Sequence, residues 1–123
     1  MISKLTIGDI SIDCKEPEKL CDFYASLSGW EKRVMYNCPA VIAENGLVIL
    51  FMSCDVEYLP PVWPEEFGKQ QKQMHFNFQV DDLFSAVEEA ITLGAQKCSE
   101  QYGGEHFVTM LDPEGHPFCL CRK

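Results

Sequence analysis

His75-Phe76-Asn77-Phe78-Gln79-Val80-Asp81-Asp82 is the stretch on which the fold turns. With Met74 ahead of it, the stretch alternates: Met74, Phe76, Phe78 and Val80 point one way, His75, Asn77 and Gln79 the other. A period of two belongs to a β-strand with one buried face. Asp81-Asp82 then offers a side-chain acceptor for the open N–H groups of a helix start. Leu83, Val87, Ala90 and Ile91 follow at helical spacing, flanked by Phe84 and Ala86, and Gly94 closes the helix. Further strands are expected at Gln96–Glu100, Glu105–Leu111 and Pro117–Arg122. Tyr102-Gly103-Gly104 and Asp112-Pro113-Glu114-Gly115 supply the turns between them. Residues 73–123 therefore spell βαβββ.

Residues 1–54 repeat the plan. From Leu5 to Asp13, Leu5, Ile7, Asp9, Ser11 and Asp13 take one side of a strand; Thr6, Gly8, Ile10 and Ile12 take the other. Pro17 suits a first helical turn, Leu20, Phe23, Tyr24 and Leu27 make the apolar stripe, and Gly29 ends it. Strands are expected at Trp30–Tyr36, Ala40–Ala43 and Leu47–Cys54, separated by Asn37-Cys38-Pro39 and Glu44-Asn45-Gly46. Asn-Gly favours a tight hairpin, because both central residues need positive φ. The last two strands should therefore pair antiparallel. Overlaid, Asp9 falls on His75 at an offset of 66, and Gly29 on Gly94 and Lys32 on Lys97 at 65. Agreement among independent signals makes the internal repeat stronger than any single motif. Residues 55–72 hold Pro60, Pro61, Pro64 and Gly68 and lack a period, so they read as a long connection. Trp63 and Phe67 in it either seal the loop onto the body or cover a pocket.

The chain of 123 residues reads as one domain. Its charge of −9, from 19 acidic and 10 basic residues, repels phosphate backbones and anionic lipid, which argues against nucleic acid or membrane as partner. Met1-Ile2-Ser3-Lys4 does not begin a secretion signal, so a cytoplasmic location is expected. Seven cysteines, an odd count with no Cys-x-x-Cys, read as reduced thiols used as small apolar residues. Cys119-x-Cys121 is the one close pair, and its side chains share a strand face.

Each helix must cover one face of its own sheet. The other faces then carry Asp9, Ser11 and Asp13 in the first half and His75, Asn77 and Gln79 in the second, with Cys119 and Cys121 on the last strand. Val48, Leu50 and Met52 add apolar groups to the first of these faces. Such a mixture suits a cleft for a small organic molecule better than plain solvent.

Several stretches together resemble the vicinal oxygen chelate superfamily, and within it the glyoxalase and bleomycin-resistance-like domains. They are His75 to Asp82, Leu93-Gly94-Ala95, Asp112-Pro113-Glu114-Gly115-His116-Pro117-Phe118-Cys119-Leu120, Asp9 to Cys14, Leu20 to Tyr24, and Gly29-Trp30. The resemblance implies an α+β fold of two βαβββ modules forming a curved, U-shaped mixed sheet around a cleft, with helices on the outer face. It divides the chain into a first half at 1–54, a connecting loop at 55–72 and a second half at 73–123. It also implies homodimers, often with a shared site. The family's four metal positions fall on Asp9, Leu50, His75 and Cys119. Leu50 cannot bind metal, and Cys119 stands where a carboxylate would close the site and serve as base. Asp9, His75 and Cys119 would favour zinc or iron(II) over magnesium.

The preferred expectation is a small-molecule-binding protein without cofactor, its ligand held by His75, Asn77, Val48, Leu50, Met52, Trp63 and Phe67. One alternative is a divalent-metal lyase, isomerase or dioxygenase acting on vicinal oxygens through Asp9, His75 and Cys119. Lactoylglutathione lyase activity does not fit, since it would need the missing acidic residues. Another alternative is a domain for self-association alone. His106 and His116 sit near turns, where the default is a turn residue and not a ligand.

Overall fold

The computed structural model describes all 123 residues. They divide into two compact units, Met1–Tyr58 and Leu59–Lys123. Each is a βαβββ module with a four-stranded mixed sheet and one helix, an α+β arrangement.

In the first unit the order is β1 (Asp9–Cys14), α1 (Pro17–Ser28), β2 (Glu31–Met35), β3 (Cys38–Ile42) and β4 (Val48–Ser53). The sheet runs β1-β4-β3-β2, with β1 parallel to β4 and the rest antiparallel. Proline opens α1, and Gly29 closes it at φ 78°, its N–H reaching Ala25 O at 2.8 Å. The helix buries Leu20, Cys21, Phe23 and Tyr24, and the Tyr24 ring stacks on Phe51 at 5.8 Å. Phe51 is fully buried, which stabilises the unit by roughly 1.5–3 kcal/mol relative to exposure.

The β3–β4 hairpin forms as expected, with Asn45 at φ 68° and Gly46 at φ 80°. Its closing bond runs from Ala43 N–H to Leu47 O at 2.8 Å, so the loop encloses Glu44, Asn45 and Gly46. The outer strand β2 is guarded by charge: Lys32 pairs with Asp22, and Arg33 with Glu31 at 2.9 Å. Such exposed pairs add little stability, but charged edges resist unwanted strand pairing.

The expected start of β1 at Leu5 moves to Asp9. The physical reason is its partner: β4 begins at Val48, which is paired with Asp9, so earlier residues have no strand beside them.

In the second unit the order is β5 (Phe76–Val80), α2 (Leu83–Thr92), β6 (Gln96–Lys97), β7 (Phe107–Leu111) and β8 (Pro117–Arg122). The sheet order β5-β8-β7-β6 repeats that of the first unit, again with one parallel pair. Asp82 caps α2, accepting Ser85 N–H at 3.1 Å and the Ser85 hydroxyl at 3.0 Å. Those bonds hold its carboxyl below the usual range. Leu83, Val87 and Ala90 of α2 are buried, as are Phe118, Leu120 and Met110 of the sheet. Phe78 meets Phe118 edge-on at 5.9 Å.

Two strand expectations shorten here. β5 starts at Phe76, opposite Phe118, leaving His75 just outside; the next place on β8 is Pro117, which has no N–H for a ladder. β6 stops at Lys97, where the expectation ran to Glu100. Past Cys98, whose N–H reaches Thr109 O at 3.1 Å, the Gln101 side chain replaces the strand. Its amide donates to Cys98 O and Thr109 O, both at 2.8 Å, and accepts Thr109 N–H at 2.9 Å.

Residues 59–72 group with the second unit. Val62 N–H bonds Gln70 O at 2.9 Å, and Lys69 N–H bonds Glu66 O at 3.2 Å. Lys72 Nζ lies 4.2 Å from the centre of the Trp63 ring and 3.0 Å from Glu65. The Trp63 ring also meets Tyr102 edge-on at 6.3 Å.

Candidate functional site

Strand register places the residues of each unit's helix-free face. In the first unit Ser11 lies opposite Leu50, Leu50 opposite Ala40, and Ala40 opposite Arg33. Phe51 faces α1, so Leu50 points the other way. Asp9, Ser11 and Asp13 alternate along β1 on that side, opposite Val48, Leu50 and Met52. Asp9, Ser11, Asp13 and Met52 are exposed, Val48 is half-buried, and Leu50 and Ala40 are buried. Asp9 Oδ1 receives only a long bond from Ser11 Oγ, 3.5 Å.

The second unit repeats the register. Asn77 lies opposite Cys119, and Cys119 opposite Thr109. The ladder continues to Cys98 through its N–H to Thr109 O. The equivalent rows are thus Ser11, Leu50, Ala40, Arg33 and Asn77, Cys119, Thr109, Cys98. Asn77 and His75 are exposed; Cys119 and Thr109 are buried. Thr109 Oγ1 is 3.5 Å from Cys119 Sγ. Burial pushes the Cys98 thiol up, and the neighbouring Cys119 pushes it further; the same two causes act on Cys121. This face presents amide, hydroxyl and protonated thiol, a neutral surface able to donate and accept hydrogen bonds.

The sequence-derived candidates fall into three groups. Val48, Leu50 and Met52 share a face with Asp9 in the first unit, and Asn77 shares a ladder rung with Cys119 in the second. His75 sits one residue ahead of β5. Trp63 and Phe67 are not together: Trp63 packs on Lys72 and Tyr102, while Phe67 stands fully exposed at a turn. The Trp63 indole N–H is buried with no acceptor, an arrangement that costs about 1–3 kcal/mol.

Leu50 is apolar and buried, and Cys119 is turned to Thr109. No group of three or more His, Cys, Asp or Glu side chains is arranged to hold a metal ion. An apolar Leu50 and a Cys119 engaged with Thr109 do not make a donor set for a divalent ion.

Two features escaped the sequence. Thr109 enters the row only through pairing across β7 and β8. Asp112, expected only as a turn residue, is a buried carboxylate that accepts Glu114 N–H at 2.9 Å, His116 N–H at 3.1 Å and His116 Nδ1 at 2.8 Å. The Asp-x-x-x-His spacing was the available signal, and the pair clamps the turn into β8.

The model of the glyoxalase-like domain family matches residues 9–121. No curated protein matches the chain. Among solved structures, a glyoxalase/bleomycin resistance protein/dioxygenase family enzyme from Burkholderia phytofirmans PsJN is similar at 16% identity and TM-score 0.72, over 96% of this chain and 98% of that one. The fosfomycin resistance protein FosX from Listeria monocytogenes is similar at 21% identity and TM-score 0.69, over 100% of this chain and 93% of that one. A FosX mutant complexed with Mn(II) and 1S,2S-dihydroxypropylphosphonic acid is similar at 18% identity and TM-score 0.67, over 98% of this chain and 90% of that one. At these identities the structural likenesses speak for the fold, whereas the family match spans nearly the whole sequence: the chain belongs to the glyoxalase-like domain family.

Proposed function

We propose that this protein binds a small organic molecule on its helix-free strand faces and does so without a resident metal ion. The observation that supports the reading is the pair of equivalent rows: where the family resemblance puts metal ligands, Leu50 is apolar and the Cys119 thiol is engaged with Thr109. Val48, Leu50 and Met52 supply apolar contact, His75 and Asn77 orient a polar group, and Trp63 and Phe67 offer aromatic surface. The partner is a small molecule or a second copy of the chain, not nucleic acid or membrane, in keeping with the charge of −9. No helix is long and apolar enough to cross a membrane. Seven free cysteines suit the reducing cytoplasm.

The test uses anilinonaphthalene sulfonate as an apolar probe. Its fluorescence should rise on binding, be unchanged by a chelator, and weaken in Leu50→Asp and Asn77→Ala. Loss of probe binding or of melting temperature on chelation overturns the reading. The second reading, a divalent-metal lyase, isomerase or dioxygenase using Asp9, His75 and Cys119, draws on the Mn(II) complex of the similar FosX. Elemental analysis of protein purified without chelators separates the two. Near one equivalent of zinc, iron or manganese per chain favours the second, and less than about a tenth removes it.

A further inference from the structure

Two thiols meet where the parallel ladder of the first unit ends. Cys14 is the last residue of β1 and lies opposite Ser53, the last residue of β4; Cys54 follows at once. Neighbouring strands lie about 4.8 Å apart, and a strand rises about 3.3 Å per residue. A diagonal pair so placed has its Cα atoms roughly 5.8 Å apart, inside the range of about 4.4–6.8 Å that a disulfide spans. The sulfurs agree with the backbone. Cys14 Sγ donates to Met52 O at 3.5 Å, and Cys54 Sγ donates to Cys14 O at 4.0 Å. Each thiol therefore lies against the strand that carries the other. Cys54 has left the ladder, so the alternation of strand side chains does not hold it on the far face.

Cys98 and Cys119 lack this placement. They share a row with Thr109 between them, about 9.6 Å apart over two strand spacings, beyond the roughly 7 Å that a disulfide tolerates. Exposure also divides the first pair into two roles. Cys14 is fully buried, whereas Cys54 is half-buried and is the thiol that an oxidant in solution meets first.

We propose that Cys14 and Cys54 are a hydroperoxide-responsive pair, two thiols at rest and one disulfide when oxidised. Cys54, as thiolate, attacks the hydroperoxide. The O–O bond breaks, the sulfur becomes a sulfenic acid, and water or an alcohol leaves with the proton. Cys14 gives up its proton and attacks the Cys54 sulfur; the S–S bond forms and a second water leaves. In sum, two thiols lose two protons and two electrons, and one hydroperoxide is reduced. The bond closes a ring from residue 14 to residue 54 that holds α1, β2, β3 and β4. It ties the ladder shut beside the Asp13–Met52 rung and constrains the unfolded chain, so the oxidised unit is the more stable. None of the ligand contacts named under the proposed function enters this inference.

The experiment treats the full reduced chain with hydrogen peroxide and maps its peptides without reductant. The expected result is a loss of two hydrogens and a cross-link between the peptides that hold Cys14 and Cys54. The denaturant midpoint should rise and amide exchange at Asp13 and Cys14 should slow, both reversed by dithiothreitol. Cys54→Ser should lose the link and the midpoint shift while melting as the reduced chain does. Cys14→Ala should accumulate a dimedone-reactive sulfenic acid at Cys54 that the unaltered chain does not retain. A chain that forms no link, or whose link joins other cysteines, overturns the proposal. So does equal dimedone labelling of Cys54 in the unaltered chain and in Cys14→Ala. The anilinonaphthalene sulfonate result stands independently of all these outcomes.

Discussion

The two halves share a backbone and differ in what they hang on it. Both run βαβββ, both order their strands with the first beside the last, and both set the same rung at the centre of the sheet. In the first half that rung is Ser11, Leu50, Ala40; in the second it is Asn77, Cys119, Thr109. The first half closes its sheet with a five-residue outer strand, whereas the second uses two residues and the side chain of Gln101. Register is a property of hydrogen bonding and of the buried face, so it survives while the other face changes chemistry. The lesson is that symmetry of fold says little about symmetry of function. One face is acidic and apolar, the other neutral with thiol, hydroxyl and amide.

The strongest way to break the comparison is to hollow out each half in turn. Phe51 and Phe118 are both fully buried, one in each unit. Phe51→Ala and Phe118→Ala should each cost about 3–5 kcal/mol in denaturant unfolding. If the halves are equivalent supports of one cooperative domain, the two losses agree within the scatter of such substitutions. A variant whose hydrogen exchange rises in one half alone would show that the halves unfold separately.

A smaller effect should follow from Gln101→Ala. It strips three hydrogen bonds from the strand edge and leaves the N–H of buried Thr109 without a partner, while Thr109 O keeps the Cys98 N–H, for about 1–3 kcal/mol. Its distinctive mark is faster exchange of the Thr109 amide, with β2 and β3 undisturbed. Equal acceleration in the first half would refute the idea that Gln101 stands in for a strand.

The smallest effect concerns thiols. Burial raises Cys21 in the first half; burial and then Cys119 raise Cys98 and Cys121 in the second. A raised thiol is held protonated by the folded chain, so its contribution is complete at neutral pH. It fades as pH climbs past the ordinary thiol value of about 8.5 towards the raised one. Thiolate absorbance in Cys119→Ser should show Cys98 and Cys121 ionising at lower pH than before, with Cys21 unmoved. No change at Cys98 and Cys121 would mean that burial alone sets them.

Most of the architecture could be read before any coordinates. The period of two at Phe76–Val80, the stripe of Leu20, Phe23 and Tyr24, the Asp82 cap and the Gly29 stop are local signals, written within one turn or one strand. Strand ends were less legible, because a strand stops where its neighbour stops. Asp9 begins β1 on account of Val48, and His75 falls outside β5 beside Pro117.

By itself, then, the amino-acid order determined that the chain would fold as two like modules, since periodicity and capping act between residues close in sequence. Only the tertiary structure decided that Cys119 meets Thr109, that Gln101 completes a sheet, and that buried Asp112 grips His116. Those contacts depend on which strands lie side by side and in what register, and no stretch of sequence read alone carries that information.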